Sequence, residues 1–120
     1  MKPTLLLTAA AALISSATLA QTLMSQADVE AALKGQTFVL TTQDGFTAKI
    51  AFNPDMTAVV TNKDGSTDSG TYRFAEGGYC STWRDFRNGA EACFIAEDLG
   101  GGRYQLYKPG GARDDLLVRQ

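Results

Sequence analysis

The chain has 120 residues with 11 Lys+Arg, 13 Asp+Glu and no histidine, a net charge of −2, and is 44% hydrophobic. That length holds one domain, the apolar share excludes a disordered chain, and the mild acidity excludes the basic face that a nucleic-acid or anionic-membrane binder needs. The lack of histidine removes imidazole acid–base catalysis and the commonest zinc ligand.

The first twenty residues read as an export signal. Lys2 supplies the leading positive charge, Leu5 to Ala17 is an uncharged apolar run, and the small residues Ala17-Thr18-Leu19-Ala20 follow. Cleavage is expected between Ala20 and Gln21, with Ala17 as a second choice. The run is shorter than the ~20 residues of a spanning helix, and Thr8, Ser15 and Ser16 interrupt it. No cysteine follows it to take a lipid, and no second apolar stretch approaches spanning length. A single domain over residues 21–120, without membrane insertion after cleavage, is therefore expected, in a periplasmic or secreted location. Without Lys2 it carries ten Lys+Arg against thirteen Asp+Glu.

Ser25 to Lys34 is a short helix: Ser25 caps it, Asp28 sits in its first turn, Gly35 ends it, and Val29, Ala32 and Leu33 repeat at helical spacing. Beyond Gly35 the period changes to two. Phe38 and Leu40 share one face. Phe46, Ala48, Ile50 and Phe52 form the next set, then Met56, Ala58 and Val60, then Gly70, Tyr72 and Phe74. Further strands are expected around Tyr79 to Trp83, Glu91 to Glu97, Arg103 to Lys108 and Asp115 to Arg119. Turn residues separate them: Asp44-Gly45, Asn53-Pro54-Asp55, Asp64-Gly65, Gly77-Gly78, Asn88-Gly89, Gly100-Gly101-Gly102 and Pro109-Gly110-Gly111. No gap is long enough for a parallel crossover. The expected fold is all-β with a short N-terminal helix: an antiparallel meander of about eight strands that closes into a small barrel or strongly curled sheet, because closure removes exposed edges. The helix covers one open end or a side.

Cys80 and Cys93 are the only cysteines. In an oxidising compartment such a pair normally bonds, and the loop of about fourteen residues is worth on the order of 3 kcal/mol in the chain-entropy model. Their spacing differs from the Cys-x-x-Cys of an active dithiol.

Gly70-Thr71-Tyr72-Arg73, then Cys80-Ser81-Thr82-Trp83, then Cys93-Phe94 and Gly100 to Tyr104 resemble a pattern in small exported bacterial proteins of unknown function. The Gly35-Gln36-Thr37 segment after a short helix is similar too. This chain carries Tyr72 where tryptophan is more usual in the pattern. The resemblance implies export and a lipocalin-like small β architecture, and carries over no catalytic residue. A more distant resemblance is to periplasmic metalloprotease inhibitors, whose inhibitory N-terminal segment has no match in Gln21 to Ser25. It contributes only a class of partner.

No nucleophile–base pair can be assembled without histidine. Asp85 and Glu91 flank one turn and Asp114-Asp115 another. Two facing carboxylates would suit glycoside hydrolysis, whereas acidic residues beside turns ordinarily cap and solvate. Asn62, Asp64, Ser66 and Asp68 alternate as in a calcium loop, but the glycine falls at the fourth place and Arg73 occupies the twelfth, so a hairpin turn fits better than a metal site. No cofactor is expected. The strongest candidates for a ligand or partner surface are Tyr72, Tyr79, Trp83, Tyr104 and Tyr107, with Arg84 and Arg87 beside the tryptophan. The expectation is a non-enzymatic exported binding or interaction module for a small ligand or an envelope protein. The alternatives are a structural envelope protein without a pocket and a small carboxylate-dependent hydrolase.

Overall fold

A computed structural model describes residues 23–120. The expected leader and its Ala20–Gln21 cleavage point lie outside the described residues. One helix, α1 (Gln26–Leu33), precedes eight strands: β1 (Thr37–Thr41), β2 (Thr47–Phe52), β3 (Thr57–Asn62), β4 (Thr67–Ala75), β5 (Gly78–Trp83), β6 (Ala92–Gly100), β7 (Arg103–Tyr107) and β8 (Arg113–Arg119). Each strand pairs antiparallel with the next, and β8 pairs with β1 to close the barrel. Closure sets Leu40 against Leu117 and Phe38 against Arg119, and leaves no free edge among the eight described strands.

The Ser25 hydroxyl accepts a hydrogen bond from the Asp28 amide at 3.1 Å and caps α1. Val29 and Leu33, one turn apart, are its buried residues. They plug one end of the barrel, so eight residues too few to hold a helix alone are stabilised by apolar burial. Gly35 then reverses the chain at φ +76°, and its amide reaches the Phe52 carbonyl at 2.7 Å.

Four of the hairpin turns share one backbone design. In the turns that begin at Thr42, Asn53, Asn62 and Lys108, the amide of the fourth residue bonds the carbonyl of the first, and the first amide bonds the carbonyl of the fifth. The fourth residue is left-handed each time: Gly45, Met56, Gly65 and Gly111. Met56 therefore belongs to a turn and not to β3, and holds at φ +72° a conformation that glycine adopts elsewhere. In three of the turns the third residue is an aspartate whose carboxylate accepts a side-chain hydroxyl at 2.6 Å. Asp64 is one of these, bound to Ser66, so the segment read as calcium-like is a hairpin turn closed on itself.

Edge-to-face aromatic pairs fill the helix-capped end. Phe52 is the hub, 5.8 Å from Phe38, 5.1 Å from Tyr72 and 5.2 Å from Tyr79 between ring centroids. Tyr104 packs on Phe38. Glycines 70 and 78 sit where strands approach too closely for a side chain: a Cβ on Gly70 would strike the Thr82 carbonyl, and one on Gly78 the Phe94 carbonyl.

Candidate functional site

Inward-facing side chains shrink along the barrel axis. At the helix end β1, β2, β4 and β7 contribute Phe38, Phe52, Tyr72 and Tyr104, all buried. One or two inward positions further, the same strands carry Leu40, Ala48, Gly70 and Leu106. The lost volume leaves a cavity of about 540 Å³ that opens at the end opposite α1. Its floor and walls are apolar, with Ile50, Val60, Tyr79, Trp83 and Phe94 among them. An eight-stranded barrel is just wide enough to hold one small ligand, and this volume lies within the usual range for such sites.

Turns and strand ends form the mouth. Phe46 and Phe86 stand there 70% and 62% exposed, although both line the cavity. Asp68 anchors one wall. Its carboxylate accepts the amides of Ser69 at 2.9 Å, Asp85 at 3.2 Å and Phe86 at 2.9 Å, with Arg84 at 3.9 Å. Burial pushes this carboxyl up, but the amides and Arg84 outweigh it and hold it below the usual range. The loop so anchored runs through Arg87, Asn88 and Gly89 in succession at positive φ. Arg87 braces that strained run. Its Nη2 donates to the Ser81 carbonyl at 3.1 Å and hydroxyl at 3.2 Å, and its guanidinium lies over the Phe86 and Phe94 rings. The same Ser81 hydroxyl accepts the Trp83 indole N–H at 3.2 Å.

The facing wall comes from β8. Gln105 pairs with Leu116 and Tyr107 with Arg113, so Asp114 and Asp115 together oppose the single residue Leu106. This β-bulge re-aims the strand, and both aspartates line the cavity. Gln105 Nε2 donates to the Asp114 carbonyl at 2.9 Å and the Asp115 carbonyl at 3.2 Å, and Gln43 Nε2 also reaches the Asp114 carbonyl at 2.7 Å. The carbonyls that leave the regular ladder are thus satisfied. The Asp115 carboxyl is pushed up to about 6, by burial first and then by Asp114, with Asp44 adding and Lys108 and Arg87 opposing. The Tyr79 hydroxyl is pushed upward by burial and by the Asp115 and Asp114 charges.

The seven residues picked from the sequence separate into four places. Tyr79, Trp83 and Arg87 meet at the cavity. Tyr72 and Tyr104 are buried in the helix-end core. Arg84 pairs with Asp85 and Asp68, and the Tyr107 hydroxyl donates to Glu97 at 2.7 Å. The aromatic set therefore divides between the two ends of the interior, with Tyr107 apart, and does not form one strip. The Glu91 carboxylate is held by a two-bond fork from Arg73 and lies below its usual range through that hydrogen bonding, while Asp85 pairs with Arg84. Phe46, Phe86 and Ser81 carry no signal in the sequence as site residues, and Asp68, weighed there only as part of a calcium-like alternation, serves instead as the anchor of the 85–86 backbone. Asp114-Asp115 was legible as a pair, but the bulge that turns both inward leaves no mark in the residue pattern. No protein-family model, curated protein or solved structure matches the chain.

Proposed function

We infer that this is an exported, non-enzymatic binding protein that carries a small, largely apolar ligand inside a lipocalin-like barrel. The observation that carries the reading is the cavity of about 540 Å³, apolar below and polar at its open mouth. A purely structural barrel has no use for that vacancy, since filling it with larger side chains adds stability. A carboxylate hydrolase is less well supported, because Glu91 and Asp85 are each engaged with an arginine. The Cys80–Cys93 bond supports an oxidising compartment, in keeping with the leader-like N-terminus.

Trp83 is the only tryptophan and lines the cavity, so its emission reports on occupancy. Titration of the purified protein with ten-carbon amphiphiles of cationic, neutral and anionic head groups should give saturable changes in that emission. Ala48→Phe, which fills the cavity from β2 without adding a second tryptophan, should abolish the changes due to ligand while the barrel's circular dichroism persists. No saturable response to any of the amphiphiles would overturn the reading.

A further inference from the structure

The mouth carries chemistry that an apolar ligand would leave unused. Four aspartates line the cavity (Asp64, Asp68, Asp114 and Asp115) against two cations, Lys63 and Arg87. Asp64 is occupied within its own turn and Asp68 by three amides. Arg87 is committed to Ser81 and to two aromatic rings. Lys63 stands on an exposed turn beside Asp64. The carboxylates of Asp114 and Asp115 make no hydrogen bond or ion pair among the described residues, although the bulge points them into the same cavity.

A second, independent observation lies deeper. Tyr79 is 3% exposed, its ring rests on Phe52 and Phe94, and it lines the cavity. Its hydroxyl has no hydrogen-bond partner among the described residues. A buried phenol without a partner carries a desolvation cost of about 1–3 kcal/mol unless something else supplies the bond. Folded proteins rarely leave such a group alone, and here its residue lines a space that a ligand can enter.

We propose that the barrel recognises a protonated amine: an amphiphile whose apolar body fills the cavity and whose ammonium head is held by Asp114, Asp115 and the Tyr79 hydroxyl. This deepens the binding reading above and rests on it. An ammonium group offers three N–H donors and no acceptor, which suits two carboxylates and a phenol oxygen. A cation also relieves the mutual repulsion of the adjacent aspartates, and a charge-assisted bond is about twice as strong as a neutral one. An anionic head would meet those same carboxylates, while the mouth's arginine is already engaged. A hydrated divalent ion could use the carboxylates but not the greasy space beneath them.

The test uses decylammonium, decanol and decanoate at neutral pH, followed by Trp83 emission and calorimetry, with calcium alone as a fourth arm. Decylammonium should bind at least about tenfold more tightly than decanol, and decanoate most weakly. Asp114→Asn with Asp115→Asn should weaken decylammonium by about tenfold or more and decanol far less. Tyr79→Phe should weaken decylammonium severalfold relative to decanol. If none of the three amphiphiles binds, the cavity reading itself fails. If decanol or decanoate binds as tightly as the amine, or the double variant keeps the preference, the amine assignment fails while the cavity reading stands. Calcium binding that is lost in the double variant, without preference for the amine, would also overturn it.

Discussion

Cys80 and Cys93 stand directly opposite one another on β5 and β6, with Cα atoms 3.9 Å apart, and their bond lies on the outer face of the barrel. The next pair along, Tyr79 and Phe94, faces inward, and both line the cavity. The cross-link therefore clamps the two strands that carry part of the cavity wall. Reduction, or Cys80→Ala with Cys93→Ala, should lower stability by roughly 2–4 kcal/mol. Urea titration of the oxidised and reduced protein measures it, and coincident midpoints would show that the bond contributes nothing.

Phe52 joins three rings at the helix end and is 1% exposed. Phe52→Ala should cost about 3–5 kcal/mol, because its neighbours are held by other contacts and cannot collapse into the gap. Thr47 and Lys49, elsewhere on the same strand, should tolerate alanine within ~0.5 kcal/mol. Thermal melts of the three variants separate the cases.

Two classes of glycine should respond differently to alanine. Gly45 and Gly65 have empty space around a prospective Cβ but lie at φ +92° and +89°. Alanine there should cost about 1–2 kcal/mol for the left-handed backbone alone. Gly70 and Gly78 face a backbone carbonyl that cannot move without breaking the ladder. Alanine at either should destabilise by ~3 kcal/mol or more, since overpacking is added to lost strand pairing. Equal melting shifts in the two classes would refute the distinction.

Ser81 accepts two donors, the Trp83 indole and the Arg87 guanidinium, and is itself 2% exposed. Ser81→Ala should cost about 1–3 kcal/mol by stranding the indole N–H in the interior. It should also free part of the brace on the 87–89 run, read as faster amide exchange there. Unchanged exchange would show that the Ser81 carbonyl alone suffices.

The Asp115 carboxyl is pushed up to about 6 from an unfolded value near 3.8. Between those values the folded state binds more protons than the unfolded one, so this group's contribution falls as pH rises from about 4 to 6 and stays at its least favourable level above. Asp115→Asn should therefore gain stability relative to the parent as pH increases through that window. The carboxyl is partly exposed, so solvent screening limits the gain to the order of 1 kcal/mol. Melting points of both proteins at several pH values test it, and a constant difference would sink it.

The barrel was legible in the residues themselves. Period-two alternation from Thr37 onward, punctuated by glycine, proline and aspartate at short intervals, leaves antiparallel hairpins as the solution, and edges that must be removed imply closure. The disulfide was legible because two cysteines allow one connectivity. Met56 was misread as a strand residue because its side chain keeps the apolar alternation while its backbone does a glycine's work. The cavity could not be read, because it depends on how far inward side chains reach across the barrel, which sums over several strands distant in sequence. Nor could the turning of Asp114 and Asp115 into the mouth. A single extra residue in β8 reverses which face a side chain takes, and that slip is set by pairing with β7 rather than by the two aspartates.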